Sequence, residues 1–476
     1  ERLAYGCLVQ QVEIAGDRLH YRKLSNSLLV DGADKHPVMQ GPEEGWVSIK
    51  LKNKDLIVPI YPSSFWEPAP NGETPPMTFH AISDCHVEAK ANMEWLRNLP
   101  KFDRATVLVA GDLGVSLPQI KEALALFKSK FDHVFYCYGN HETWCPRKSP
   151  GEESFGPYAT SFEKLDKIRG ICDELDVLTT PHLIENVWVV PVLGWYHKSW
   201  DTEPGLQRPS GKKLSQDVGH GDEMATDTAA CKWENFKNAS DELARELDKQ
   251  NEKWGAWPLP DALQESLAQP KENRKEFVIS FSHFLPREEL MPEKRFLFQP
   301  HLTQVVGSNH VRKRVDSLTP DLHVFGHSHF PWDMVLEDGV RYVSWPLGMP
   351  DEQSRRISSN PIKSTAEWHP VPVFDSLGRH YPTHESCWFS WMYSRIPREP
   401  SSPIMADYVK AKFAPDDTLS VPPTIISPGW FLKPSSNADE LRREQASGLA
   451  KSSMSRQVGR PSAMQEAPAK KALPKS

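Results

Sequence analysis

Met77-Thr78-Phe79-His80-Ala81-Ile82-Ser83-Asp84-Cys85-His86 is the stretch from which the fold can be read: a strand-like run from Thr78 to Ile82 that stops at a polar cluster, Asp84-Cys85-His86. The pattern recurs twice downstream. Ala105 to Ala110 is apolar and ends at Gly111-Asp112, and His133 to Tyr138 ends at Gly139-Asn140-His141-Glu142. Between these runs, apolar residues fall at helical spacing, first Ala89, Met93, Leu96 and Leu99, then Ile120, Leu124 and Phe127. A strand-helix-strand-helix-strand order builds a largely parallel layer covered by helices, so the expected fold class is α/β.

The pattern continues outward. A helical stretch from Phe162 to Leu175 leads to an apolar run, Val187 to Leu193. Phe277 to Phe281 ends at Ser282-His283, and Leu322 to Phe325 ends at Gly326-His327-Ser328-His329. Trp332 to Leu336 and Val340 to Trp345, joined by Glu337-Asp338-Gly339, predict a hairpin. Residues 198–275 read as an insertion with a charged amphipathic helix around Ala239 to Trp254, placing Leu243, Leu247 and Trp254 on one face. It is either a cap that shapes the substrate site or a packed surface helix with a loop.

Four segments follow from this reading. Residues 1–76 are a β-type extension, 77–350 the main domain, 351–433 an irregular C-terminal extension, and 434–476 a tail. Trp368 to Pro372 and Cys387 to Tyr393 are expected to fold back onto the domain. The tail carries eight Lys and Arg against four Asp and Glu, lacks aromatic residues, and is expected to be disordered.

Bulk properties narrow the function class. The 476 residues are 39% hydrophobic and 25% charged, as in a soluble globular protein. A net charge of -7 argues against a nucleic-acid or membrane footprint. No apolar run approaches the ~20 residues of a membrane span. The seven cysteines are odd in number and form no CxxC pair, which fits reduced thiols and a cytoplasmic location. The sequence begins at Glu1 rather than Met, so an organelle address upstream stays open.

Five polar clusters thus end five separate strands, and in α/β sheets ligands bind beyond the carboxyl ends of strands. Asp, Asn and His offer oxygen and imidazole donors without thiolate, a set that suits Mn, Fe, Zn or Co better than Ca or a closed structural zinc site. The candidate groups are too many for one tetrahedral ion and enough for two, provided one carboxylate bridges. Set against chance polar turns, the metal reading is favoured because residue type, order and topology agree. Cys85 reads as a small buried residue, and Glu142 as a partner of the loop backbone. His80, His133 and His323 lie inside strands and read as core or sheet-face residues. Trp144, Trp195, Tyr196, His197 and Arg287 fall near the rim, where the Arg287 fork suits a phosphate oxygen.

The ordered set Asp84-x-His86, Gly111-Asp112, Gly139-Asn140-His141-Glu142, His283 and Gly326-His327-x-His329 resembles the calcineurin-like metallophosphoesterase family. The resemblance implies a layered β-sandwich flanked by helices (α/β/β/α). It implies that Asp84, His86 and His329 hold one metal, Asn140, His283 and His327 the other, and that Asp112 bridges them. His141 would act outside the metals as the acid. Asn140 and Arg287 are read as substrate contacts, Arg287 by the geometry of its fork, with core packing or a surface ion pair as the equal alternative for it. The implied reaction is hydrolysis of a phosphomonoester or phosphodiester by a hydroxide bridging two Mn, Fe or Zn ions. Ser280 to Arg287 and Ala230 to Glu234 resemble a plant- and alga-type branch. Asp112 is followed by Leu113-Gly114-Val115-Ser116, not the Asp-Arg-Gly continuation of the Ser/Thr protein phosphatases, and no Tyr lies between Asp112 and Tyr136 as purple acid phosphatases require. A metal-free binding scaffold and a nuclease are the alternatives, weakened by the complete ligand set and the acidic charge.

Overall fold

The computed structural model describes residues 74–145, 151–206, 226–297, 299–353 and 368–381, with shorter pieces before 74 and after 381. Before residue 74 the pieces are strands. β1 (Val9–Ala15), β2 (Arg18–Lys23) and β3 (Glu44–Ser48) form an antiparallel sheet, and β4 (Lys50–Leu51) pairs with β5 (Lys54–Asp55). The 434–476 tail lies outside the described residues.

β6 (Thr78–Ile82), β7 (Ala105–Ala110) and β8 (His133–Cys137) run parallel, with Thr78 opposite Ala105 and Thr106 opposite His133. The helices Lys90–Asn98 and Leu117–Lys130 make the two crossovers, and Ser161–Leu175 follows. A second sheet of six strands has the order β13-β14-β12-β11-β10-β9. Its members are β9 (His182–Ile184), β10 (Val187–Pro191), β11 (Phe277–Phe281), β12 (Leu322–Phe325), β13 (Trp332–Val335) and β14 (Arg341–Ser344). β10, β11, β12 and β14 are parallel, and β9 and β13 close the edges antiparallel. The β13–β14 turn is the expected hairpin, with Gly339 at φ +75°.

The antiparallel edge strands β9 and β13 are partly exposed, while the parallel strands are buried on both sides, as β7 shows throughout its length. That is the expected burial of parallel strands with a layer on each face. β8 packs on β10, β7 on β12 and β6 on β14, so the two sheets stack face to face. Helices cover the outer faces, giving the α/β/β/α layering. On the second sheet's outer face Trp188, Val190 and Val278 pack with Leu263 of the helix Asp261–Leu267 and with Val311, Val315 and Leu318 of the helix Asn309–Leu318.

Several pieces escaped the sequence reading as elements, among them β9, the helices Asp261–Leu267 and Asn309–Leu318, and β15 (Val371–Asp375), which pairs antiparallel with β6 and completes a four-stranded sheet. Trp368 stacks on Trp345 at 4.3 Å with planes 2° apart. Within residues 226–275, Ser240 caps the helix Asp241–Asp248, and Leu243, Leu247 and Trp254 are buried.

The chain divides into two units. The first, 1–202, 221–291 and 303–398, contains all the strands above. In the second, 203–220, 292–302 and 399–476, Leu206, Met405 and Val409 form a small apolar cluster.

Candidate metal centre

The five polar clusters follow β6, β7, β8, β11 and β12 at their carboxyl ends, so stacking the sheets brings them to one rim. The loops extend the strand pairing. Asp84 N–H donates to the Gly111 carbonyl (3.0 Å), His86 N–H to Asp112 (2.9 Å), and Gly326 N–H to His283 (3.0 Å). Asp84 and His86 take φ of 52° and 46°, Asp112 50°, His327 68° and His329 56°. Non-glycine residues seldom adopt this left-handed backbone, at a cost of order 1–3 kcal/mol each, and such positions gather at functional sites. Here the kinks let residues two apart face one cavity while Cys85 between them is wholly buried.

Glu142 braces the rim. Its buried carboxylate accepts N–H bonds from Asp112 (3.1 Å), Leu113 (2.6 Å) and Gly139 (2.8 Å). Burial and the Asp112 charge push its carboxyl up to about 7. Gly139 is glycine for a steric reason: an added Cβ would lie 2.3 Å from Asp112 Oδ1 and 2.7 Å from His283 Nε2.

Two donor groups emerge. Asp84, His86, Asp112 and His329 form one; Asp112, His283 and His327 form the other, and within each the donor atoms lie within 4.8 Å of one another. Asn140 Oδ1 joins the second, 3.1 Å from His283 Nε2 and 2.9 Å from His327 Nδ1. Asp112 belongs to both. Its Oδ1 lies 3.4 Å from His283 Nε2 and its Oδ2 3.9 Å from His86 Nε2, so its two oxygens face different groups.

The protons indicate what the groups hold. His283 Nδ1 donates to the Ala110 carbonyl (2.9 Å) and His327 Nε2 to the Val305 carbonyl (2.8 Å). His86 Nδ1 faces Glu88 (3.1 Å) and His329 Nδ1 faces Glu352 (2.7 Å). Each outer nitrogen carries its hydrogen to an acceptor, so each inner nitrogen presents a lone pair, as metal-binding histidines do. Yet His86 Nε2 lies 3.0 Å from His329 Nε2, and His283 Nε2 3.1 Å from His327 Nδ1. Two facing lone pairs need a cation or a proton between them. Charge points the same way. Burial opposes a proton on His283, but the Asp112 and Asp84 carboxylates overcome it and push the ring up to about 9. His329 is likewise raised well above its ordinary value, against burial, by Glu352 and Asp84. The residues present therefore fit two cations, with oxygen and nitrogen donors of intermediate hardness.

His141 stands beside the two groups that share Asp112, in a further set of donors with His86 and Glu88. Its Nδ1 faces Glu88 Oε1 at 2.9 Å, its Nε2 lies 3.9 Å from Asp112 Oδ2, and its ring stacks on Trp144 at 3.8 Å. Burial works against an imidazolium here, but Asp112 and Glu88 outweigh it and raise the ring above its ordinary value. Glu88 thus contacts both His86 and His141.

The structure brings together Asp84, His86, Asp112, Asn140, His141, His283, His327 and His329. Arg287 does not join them. Its guanidinium is held by Glu289 (3.0 Å), Asp338 (2.8 Å) and Glu337 (3.3 Å), an ion cluster at the β13–β14 turn, which is the ion-pair alternative for this residue rather than the phosphate one. Glu88, Glu352 and Asp227 went unrecognised in the sequence; of these only Glu88, two residues after His86, has a motif-like position. His197, Asp241 and His310 form another group of donors. There, however, the His197 Nε2 accepts the Asn309 N–H at 3.0 Å, so the hydrogen of the neutral ring sits on Nδ1, the nitrogen that faces Asp241. That is the reverse of the pattern in the main groups.

Residues 77–331, more than half of the chain, match the family described as calcineurin-like phosphoesterase. The chain is 24% identical over 293 residues to the [acyl-carrier-protein] phosphodiesterase PptH of Mycobacterium tuberculosis, covering 59% of this chain and 80% of that protein. The crystal structure of the M. tuberculosis phosphopantetheinyl hydrolase PptH aligns with a TM-score of 0.43 at 21% identity, over 59% of this chain and 92% of the other. A dimetal phosphatase from Danio rerio aligns with a TM-score of 0.26 at 13% identity, over 57% and 87%. Among the described residues no helix is long and apolar enough to cross a membrane. The chain belongs to the calcineurin-like phosphoesterase family and is a metal-dependent hydrolase.

Proposed function

We propose that the protein hydrolyses a phosphate ester, a phosphodiester in preference to a phosphomonoester, over two cations. Asp84, His86 and His329 would hold one, Asn140, His283 and His327 the other, with Asp112 shared. The observation that carries this is the pair of donor groups with Asp112 in common, each histidine having its outer nitrogen engaged by an acceptor. Mn, Fe or Zn suits the donor set. Bound there, two cations supply a water acidic enough to ionise near neutrality and neutralise phosphoryl oxygens.

The protein's own residues do the rest. Glu88 holds the His141 ring by Nδ1, so Nε2 is the nitrogen that faces the reacting group. The Asp112 and Glu88 carboxylates keep that ring charged nearer neutrality, which suits protonation of a departing alkoxide. Glu142 holds the Asp112 and Asn140 loops in register. The name of PptH, a phosphodiesterase acting on acyl carrier protein, supports the diester preference and suggests a phosphopantetheinyl protein as one substrate to assay.

The test is a panel with added Mn²⁺: bis(p-nitrophenyl) phosphate, p-nitrophenyl phosphate and a phosphopantetheinylated carrier protein. Diester cleavage exceeding monoester cleavage, and its loss in Asp112→Asn, is expected. No cleavage of any phosphate ester by a metal-loaded protein would overturn the proposal.

A further inference from the structure

We propose that the 198–275 insertion supplies Asp227 as the positioning carboxylate of the second cation group, so that this cation's affinity is set from outside the five strand-end clusters. The inference rests on the two-cation reading above.

Asp227 is 4% exposed, in the short helix Thr226–Ala230. Its Oδ1 accepts the Asn140 Nδ2 hydrogen (3.0 Å) and the Trp144 Nε1 hydrogen (2.6 Å), and its Oδ2 accepts the Tyr196 hydroxyl (2.7 Å). These are three neutral donors to one buried carboxylate. Such bonds to a charged acceptor are short and strong.

The first bond decides which end of Asn140 faces the cation. A carboxylate only accepts, so it selects the amide's NH₂ and turns Oδ1 towards His283 and His327. A flipped amide would present NH₂ hydrogens to the cation and remove a donor. The second bond fixes Trp144, whose ring stacks on His141 at 3.8 Å. The third fixes Tyr196, whose ring lies over His327 at 5.8 Å with planes 18° apart, and which also accepts from Asn238 Nδ2 (2.8 Å). One side chain of the insertion therefore orients a donor of the second group, backs another, and walls the ring of His141. It touches none of Asp84, His86 or His329. The effect should fall on one cation and spare the other.

The experiment is elemental analysis and Mn²⁺ titration by electron paramagnetic resonance on the full chain. Wild type should hold two ions and show an exchange-coupled pair. Asp227→Ala should hold about one, with affinity for the second weakened on the order of 10- to 100-fold, as for other partners of metal ligands. Asp227→Asn, whose Oδ1 can still accept from Asn140 and Trp144, should hold nearly two. Wild-type affinity for both ions in Asp227→Ala overturns the inference and leaves the proposed function standing. Wild type that binds fewer than two ions overturns that function instead. If Asp227→Ala fails to fold by circular dichroism, the exchange Asn140→Asp with Asp227→Asn decides. It should bind the second ion more tightly than Asn140→Asp alone, where two carboxylates face each other, and equal binding overturns the inference.

Discussion

Replacing His141 by Asn separates catalysis from metal binding. His141 Nε2 lies 3.9 Å from Asp112 Oδ2, and the residue belongs to neither donor group that shares Asp112. The shorter amide can still donate towards Glu88 but has no proton to give. A positioned acid contributes roughly 10²- to 10⁴-fold, which is ~3–5 kcal/mol of barrier. The lost stack on Trp144 costs about 0.5–1.5 kcal/mol of stability, too little to unfold a domain. The assay is kcat on two diesters, one with a p-nitrophenyl and one with an alkyl leaving group, beside elemental analysis. A p-nitrophenolate leaves without help, so the alkyl substrate should lose the full factor and the aryl substrate much less. Metal content should stay near two. Loss of an ion would make His141 a ligand, and equal losses on both substrates would refute its role as an acid.

Three other perturbations test separate parts of the account. His327→Ala removes the ring 2.9 Å from Asn140 Oδ1 and should lower metal content by about one ion, and an unchanged content contradicts its assignment. Burial lowers His80 to about 4 and His323 to about 3. Both bind fewer protons folded than unfolded below their unfolded value of 6.5, so stability is full above that pH. It falls with pH down to about 4 and 3, by about 1.4 kcal/mol per unit for each ring. Urea midpoints of His80→Asn and His323→Asn should therefore depend less on pH between 7.5 and 5 than wild type, and parallel curves would refute this. Trp368→Ala removes the partner stacked on Trp345 and should cost ~3–5 kcal/mol in urea unfolding. A loss below ~1 kcal/mol would mean that this extension does not stabilise the core.

The sequence carried the catalytic half of the molecule because strand ends write themselves twice, once as a β-branched apolar run and again as the polar residues that stop it. Asp84, Asp112, Asn140, His283 and His327 all follow such runs, and the left-handed backbone at five of the proposed ligand positions favours Asp and His over bulkier residues there. β15 was harder, because Pro372 sits inside Val371 to Asp375 and weakens a strand pattern; the strand tolerates it at the sheet edge. The helix Asn309–Leu318 offered only Val311, Val315 and Leu318 among charged residues, although Ser308 does cap it. Asp227 and Glu352 had no local mark at all. Their roles arise from chain segments that meet only in the fold: Asn140 with Asp227, and His329 with Glu352. Arg287 was open both ways in the sequence, as a phosphate contact or an ion pair, and only the fold brings the three carboxylates to it.

The central claim is that Asp112 lies between two cations. A crystal structure of the Mn²⁺-loaded protein, with anomalous differences recorded at the manganese edge, tests it most directly. The account predicts two peaks ~3.5–4 Å apart, one beside Asp84, His86 and His329 and the other beside Asn140, His283 and His327, with one Asp112 oxygen or both reaching each. A single peak, or two peaks of which Asp112 touches only one, would contradict it.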